Sequence, residues 1–120
     1  MGQNTEKTYS PSEIEAKLAD SLASWQFADG FIERTYNTTG WKATLIVVNT
    51  VGHLCETAWH HPDMEVTYNK VRVKLQNHDA GGITDKDFEL AQKLDDVVMW
   101  QPHGALTGPP ASQSIIKHKG

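Results

Sequence analysis

The stretch from Tyr68 to Asn77 has the clearest strand pattern in the chain. Apolar and polar residues alternate there, Val71, Val73 and Leu75 against Arg72, Lys74 and Gln76. Neighbouring side chains of a β-strand point to opposite faces, so this alternation predicts a strand with one face buried and the other in water. Such a strand needs partner strands and a layer of other elements over its apolar face.

Three shorter stretches are the candidate partner strands. Residues 25–27 and 31–36 contain aromatic and β-branched side chains, and Ala28-Asp29-Gly30 between them is typical of a turn. Residues 64–67 supply another short strand just before the alternating one. Strands joined by such short connections favour antiparallel pairing.

Helices are predicted at both ends of this strand region. The first begins at Ser10 and continues to about Leu22, with Glu13 placed to complete a capping box. The last begins after Thr84, with Asp87 at the acidic position of a second capping box. Its inner face is apolar except for one acidic residue, and comprises Phe88, Ala91, Leu94, Asp95 and Val98.

The segment 40–59 is ambiguous, because its β-branched run alone would suit a buried strand. The longer pattern places five residues on one helical stripe, Trp41, Leu45, Val48, Cys55 and Trp59. We therefore predict a helix over the whole segment, with Thr38 or Thr39 as its N-cap. Pro62 disfavours helical geometry at the residue before it, so the helix should end near His60.

In chain order these elements run α-β-β-α-β-β-α. This order predicts an α+β fold with a single four-stranded antiparallel sheet and helices packed on one face. We expect residues 1–100 to form one domain, with residues 1–9 as a frayed polar lead. Residues 101–120 are rich in proline and glycine, which predicts an extended or mobile C-terminal tail.

The composition argues against several classes of protein. The chain has 120 residues and a net charge of -4, so its charge does not favour direct binding of nucleic acid. Its single cysteine, Cys55, excludes an internal disulfide and lies in an apolar stretch typical of a buried side chain. No apolar run is long enough to span a membrane and no signal sequence is evident, so we expect a soluble, cytoplasmic protein.

Four of the six histidines lie between residues 53 and 78. Glu56 and His60 are four residues apart and would share a helix face. His61 would follow at the helix end, and His78 ends the alternating strand. Three interpretations compete. The histidines could be ordinary surface or core residues, or they could form a zinc site, which the lack of a His-Glu-x-x-His pattern disfavours. They could also carry out acid–base catalysis without a metal, since histidine titrates near neutral pH.

The spacing of these residues resembles the signature of the pterin-4a-carbinolamine dehydratase family. The motif consists of Glu56, three residues, His60-His61-Pro62, five residues, Tyr68, nine residues and His78. Residues 82–87 and 68–71 are also similar to the family's loop, helix start and strand opening. The resemblance covers about residues 10–98 and is dense only from 56 to 88. Lys86 is a departure, because several relatives carry arginine there.

The resemblance implies an enzyme that removes water from a 4a-hydroxytetrahydropterin to give a quinonoid dihydropterin, with no metal and no organic cofactor. It implies that His60, His61 and His78 are catalytic, sharing the roles of acid and base. Three further residues would support substrate binding, namely Glu56, Pro62 and Asp87. Glu56 would orient His60, and Asp87 would either cap its helix or hydrogen-bond a histidine.

The resemblance also implies a homodimer or homotetramer, with the pterin as the small-molecule partner and neither nucleic acid nor membrane bound directly. It leaves one alternative function open. Some relatives act as binding modules, including a Rubisco assembly factor and a dimerisation cofactor of a homeodomain transcription factor. The sequence therefore predicts a dehydratase of tetrahydrobiopterin recycling, or a non-catalytic module with the same fold.

Overall fold

The fold is described by a computed structural model for residues 6–118. The described residues form α1 (Pro11–Ser21), β1 (Gln26–Ala28), β2 (Phe31–Asn37), α2 (Trp41–Ala58), β3 (Asp63–Thr67), β4 (Lys70–Leu75), α3 (Asp85–Val98) and a short 3-10 helix (Ala111–Gln113). The predicted order of helices and strands is confirmed. None of the helices in this range is both long and apolar enough to cross a membrane.

The four strands form one antiparallel sheet in the order β1-β2-β4-β3. The β1–β2 hairpin turns at Asp29 and Gly30, whose φ angles of 54° and 84° are those of a tight two-residue hairpin turn. Residues 68–69 close the β3–β4 hairpin. The strand predicted over residues 68–77 is confirmed for Lys70–Leu75, but its first two residues form the turn that brings β3 beside β4.

The two faces of the sheet differ in chemistry. On one face Ile32 lies beside its β4 partner Leu75, and both are fully buried in a core shared with α1, α2 and α3. On the other face Arg72 donates hydrogen bonds to Glu65 and holds the pKa of that carboxyl below its ordinary value. All three helices therefore cover one face, and the predicted α+β fold is confirmed.

Helix α2 was predicted correctly, but of the five residues on the predicted stripe only Cys55 is buried. The side chains against the sheet are Ala43, Thr44, Val47, Val51 and Cys55. Trp41 and Leu45, which the predicted stripe turned inward, are 49% and 42% exposed. Because α2 is apolar around most of its circumference, its pattern alone does not select a face, and the smaller residues allow it to approach the sheet closely.

The helix caps were predicted with mixed success. Ser10 caps α1 in a capping box with Glu13, as expected. Neither Thr38 nor Thr39 caps α2, since the N-cap is Gly40, which offers no side chain. Thr38 is instead buried and shares a 2.6 Å hydrogen bond with the Thr44 hydroxyl, which joins the end of β2 to the first turn of α2.

The segment before α1 is packed where the structure describes it. Residues 1–5 lie outside the described residues, so the predicted frayed lead is untested there. The prediction was wrong for residues 6–9, since Tyr9 N–H donates to the Ile83 carbonyl at 3.0 Å and its ring packs edge-on against Phe88. Its hydroxyl donates to Asp85, and this bond raises the pKa of Tyr9 above its ordinary value. The lead is therefore fastened to the start of α3.

Asp95 is the acidic residue on the inner face of α3, and it binds three donors. Its carboxylate accepts hydrogen bonds from Trp25 Nε1 (3.1 Å), Arg34 Nη1 (2.8 Å) and the Tyr36 hydroxyl (2.7 Å). Burial and this last bond raise the pKa of Tyr36 well above its ordinary range. A carboxylate inside an apolar layer is tolerated only when it is paired and hydrogen-bonded. Asp95 thereby ties α3 to the start of the sheet.

Replacing Asp95 with alanine should destabilise the fold strongly. The change leaves the Arg34 guanidinium, 14% exposed, without its anionic partner, and we expect a loss of about 3 kcal/mol in the free energy of unfolding. Urea denaturation followed by far-ultraviolet circular dichroism would measure it. The matched control is Asp96→Ala, which removes an exposed carboxylate one residue away and should cost less than about 0.5 kcal/mol. Equal losses for the two variants would contradict the role of Asp95.

Candidate active site

The C-terminal end of α2 places the first two motif histidines. The helix stops at Ala58, and Trp59 adopts a left-handed conformation with φ of 56°. The His60 N–H then donates to the Cys55 carbonyl at 3.0 Å, which closes the helix end. His60 and His61 therefore leave the helix in different directions, immediately before Pro62.

His60 is held by Asp87 at the start of α3. Its Nε2 lies 2.6 Å from Asp87 Oδ1, and the Asp87 side chain is fully buried. Asp87 Oδ2 accepts a 2.8 Å hydrogen bond from the Thr84 N–H, so the same carboxylate closes the first turn of α3. Both roles considered for Asp87, helix cap and histidine partner, are present in one side chain.

His61 belongs to a more exposed cluster. Its Nε2 lies 2.8 Å from Glu56 Oε1, and its ring packs edge-on against Trp59 with 5.0 Å between ring centroids. Glu56 was expected to orient His60, and that expectation was wrong. The left-handed residue Trp59 breaks the helical i,i+4 relation, so Glu56 meets His61 and leaves His60 to Asp87.

His78 is exposed and opens the loop between β4 and α3. Its ring lies edge-on to Phe31, with 6.4 Å between ring centroids. The loop is closed by Asn77, whose N–H donates to the Gly82 carbonyl at 3.0 Å and whose side-chain oxygen accepts from the Ala80 N–H at 3.1 Å. The backbone that carries His78 is therefore held on both sides.

Asn77 is a site residue that was not predicted from the sequence. The residue is buried, with only 5% of its surface exposed. Its side-chain amide donates a hydrogen bond to the Thr84 hydroxyl at 3.2 Å. The hydrogen bonds Asn77–Thr84, Thr84–Asp87 and Asp87–His60 form one connected chain. An asparagine just before a glycine-containing loop is typical of a side chain that binds its own turn, and this signal was available in the sequence.

The structure therefore gathers most of the predicted site residues around one end of the helical layer. His60 and Asp87 are in contact, Glu56 and His61 are in contact, and the loop of His78 is joined to them through Asn77 and Thr84. Pro62 is half-buried between α2 and β3. Tyr68 lies apart from these contacts, since it is 66% exposed in the β3–β4 turn.

The single cysteine is next to Glu56 in sequence but does not share its surroundings. Cys55 is 1% exposed within the core, and burial raises the pKa of its thiol to about 11. A thiol in this state is a poor nucleophile at neutral pH. Within residues 6–118, no three histidine, cysteine, aspartate or glutamate side chains converge in a way that would hold a metal ion.

Sequence comparison connects this arrangement with known proteins. The family profile described as pterin 4 alpha carbinolamine dehydratase matches residues 7–97. A candidate dehydratase of this name from Aquifex aeolicus is 44% identical over 89 residues, which cover 74% of this chain and 89% of that protein. A second from Gloeobacter violaceus is 46% identical over 88 residues, covering 70% of this chain and 95% of that protein.

Structural comparison agrees with the sequence. A crystal structure described as a transcriptional coactivator/pterin dehydratase from Brucella melitensis superposes with a TM-score of 0.70 at 26% identity. The match covers 77% of this chain and 99% of that one. With its profile match, its relatives and its fold in agreement, the chain belongs to the pterin-4a-carbinolamine dehydratase family.

Proposed function

We propose that the protein dehydrates a 4a-hydroxytetrahydropterin. In this elimination the C4a–O bond breaks, the hydroxyl leaves as water after gaining a proton, and the N5 proton is removed as the N5=C4a bond of the quinonoid dihydropterin forms. The reaction needs one acid and one base around a flat heterocycle. The observation that carries the proposal is the buried Asp87 carboxylate holding His60 at 2.6 Å.

His60 is the best-positioned group for proton transfer. With Asp87 as a carboxylate, His60 Nε2 is the protonated nitrogen, since a carboxylate accepts hydrogen bonds. This tautomer leaves Nδ1 with the lone pair that can accept a proton from the substrate. The side chain is only 12% exposed, so its ring orientation is restricted by packing as well as by the hydrogen bond. Such preorganisation favours general acid–base catalysis.

His78 and His61 are the other two histidines of the proposed site, and their side chains are held to different extents. His78 is exposed on a loop whose backbone is held in place by hydrogen bonds of Asn77. Its ring can therefore reach a ligand while its backbone stays fixed. His61 is paired with Glu56, and both side chains are more than half exposed. We propose His60 and His78 as the proton-transfer pair, and His61 with Glu56 as contacts for the polar edges of the pterin.

Asp87 and Pro62 would act through the histidines. Asp87 is fully buried, so we propose it as a positioning residue for His60 in place of a direct substrate contact. Pro62 follows His61 and restricts the backbone there, which helps to keep the two adjacent histidines pointing apart. Four broader statements remain predictions. They are a role in tetrahydrobiopterin recycling, a cytoplasmic location, assembly as a homodimer or homotetramer, and a domain of residues 1–100 followed by a distinct tail.

A non-catalytic binding module is the second candidate. Its support is the description of the Brucella melitensis structure, which names transcriptional coactivation beside dehydratase activity. The hydrogen-bonded His60 favours the enzyme, because a binding module has no need of a histidine oriented by a buried carboxylate.

The dehydratase can be tested with freshly generated 4a-hydroxytetrahydropterin. We expect the wild-type protein to form quinonoid product faster than buffer alone, and His60→Gln and His78→Ala to lower kcat/KM by about 10²-fold or more. Glutamine retains a donor for Asp87 but cannot carry out acid–base catalysis, so His60→Gln should stay folded. Rates of product formation and thermal unfolding of each variant would be measured together.

The matched control is His53→Ala, which removes an exposed histidine of α2 outside the motif. It should behave as wild type. A wild-type rate equal to that of buffer would overturn the enzyme and leave the binding module. A loss of activity in His53→Ala as large as in the other two variants would show that the site has been misplaced.

The positioning role of Asp87 predicts a change in kcat rather than in KM. Asp87→Asn removes the carboxylate from His60 while keeping an oxygen for the Thr84 N–H, and kcat should fall by about 10- to 100-fold, as for other partners that orient a reactive histidine. Nitrogen chemical shifts of the His60 ring should show that the Nε2–H tautomer of the wild type is no longer dominant. Asp87→Glu should restore part of the lost kcat and part of the Nε2–H tautomer population.

Asp85→Asn is the control for this variant, because Asp85 is an exposed carboxylate in the same helical turn. It should leave kcat and the His60 tautomer unchanged. An Asp87→Asn protein that loses stability but keeps the wild-type kcat and tautomer would reduce Asp87 to a helix cap.

A further inference from the structure

The residues after α3 form one wall of an open cavity at the opposite end of the helical layer from the histidines. Residues 99–110 turn back across the helices, and residues 115–117 pair with the end of β2. The resulting space has a volume of about 590 Å³, within the range of small-molecule pockets in proteins. Its α2 and α3 walls contain Ile46 and Val97.

The outer wall of this cavity is held in place by backbone hydrogen bonds. Ile116 is buried and bridges to Thr38 across the end of β2. The Lys117 N–H donates to the Asn37 carbonyl at 2.9 Å, and the Thr39 N–H donates to the Ile115 carbonyl at 3.2 Å. The wall is fixed to the sheet at one end and continuous with α3 at the other. The shape of the cavity is therefore maintained by the fold of this chain.

The lining brings together exposed apolar side chains from α2, α3 and the segment that follows them. Of the ten large apolar side chains exposed within residues 6–118, five line this one cavity, Ile46, Val97, Trp100, Leu106 and Ile115. Such a concentration of exposed apolar side chains marks a site of interaction. Burying them against a ligand would remove the cost of their contact with water.

The polar side chains of the lining include one titratable group, His118. Among the described residues that line the cavity there is no aspartate, glutamate, lysine or arginine, although these four types make up 22% of the chain. Hydrogen bonding is available from Gln101, whose amide lies 3.4 Å from His118 Nδ1, and from the Ser114 hydroxyl. An ionised ligand would lose its hydration here and meet no permanently charged side chain in exchange, so the lining disfavours it.

We propose that this cavity binds a small, uncharged organic molecule with an aromatic or aliphatic body and one hydrogen-bonding group. The body would lie among Ile46, Val97 and Trp100, and the polar group would meet Gln101. The polar, many-donor edges of a pterin do not suit this lining. The site is also distant from Asp87. Val97 lies ten residues further along α3, which at a rise of about 1.5 Å per residue is about 15 Å. The proposal does not depend on the dehydratase activity.

The test uses the full chain and the neutral fluorescent probe 6-propionyl-2-(dimethylamino)naphthalene, which has a naphthalene body and one carbonyl acceptor. We expect a saturable blue shift of its emission with one site per chain. Ile46→Asp should weaken binding about tenfold or more, because it places a charge in the apolar lining. Leu106→Ser, on the opposite wall, provides a second and independent variant and should also weaken binding.

Leu45→Asp is the matched control. Leu45 and Ile46 are adjacent on α2 and 42% and 40% exposed, but only Ile46 lines the cavity. Binding should therefore be unchanged in Leu45→Asp, with thermal unfolding confirming that all three variants are folded. Failure of the wild type to saturate, or equal weakening by Leu45→Asp and Ile46→Asp, would overturn the proposal. Probe release in step with self-association, followed by light scattering, would also overturn it and assign the cavity to a second copy of the chain.

Discussion

The bidentate use of the Asp87 carboxylate is the interaction on which both the fold and the site depend. One oxygen accepts from the Thr84 N–H and closes the first turn of α3, and the other meets His60 beyond the end of α2. The side chain is fully buried, so neither contact can be exchanged cheaply for water. The helix start and the histidine orientation are therefore set together, and a change that loosens one loosens the other.

Asp95 shows that a buried carboxylate can serve structure alone. It lies two turns further along α3, and its donors are Trp25, Arg34 and Tyr36. All three lie on or beside the first two strands and complete the packing of α3 onto the sheet. Asp87 differs because its donor is a titratable ring near the surface. The same helix thus carries one carboxylate that anchors it to the sheet and a second that binds a histidine ring.

Local pattern was sufficient for the parts of the structure that depend on local chemistry. The alternation over Val71, Val73 and Leu75 identified the central strand β4, and the capping boxes at Ser10 and Thr84 located two helix starts. These signals succeed because each one is decided by residues within a few positions of each other.

The errors arose where distant parts of the chain decide the outcome. The inward face of α2 depends on which side chains fit the sheet, so Leu45 was wrongly placed inside. The pairing of Glu56 with His60 assumed a continuous helix, whereas Trp59 ends it in a left-handed conformation. The turn-binding role of Asn77 can be read from its place before the glycine-containing loop, but its hydrogen bond to the Thr84 hydroxyl depends on how the loop folds and cannot.

The helical layer has two ends of opposite chemistry, and its geometry explains why they can coexist. The C-terminus of α2 meets the N-terminus of α3 at His60 and Asp87, whereas the first half of α2 meets the end of α3 at the cavity near Ile46 and Val97. The two helices therefore run antiparallel, and each contributes one part to both places. The first end gathers titratable groups around buried hydrogen bonds, and the lining of the second contains no aspartate, glutamate, lysine or arginine. The family profile ends at residue 97, so the outer wall of this second end is formed by residues beyond the matched region.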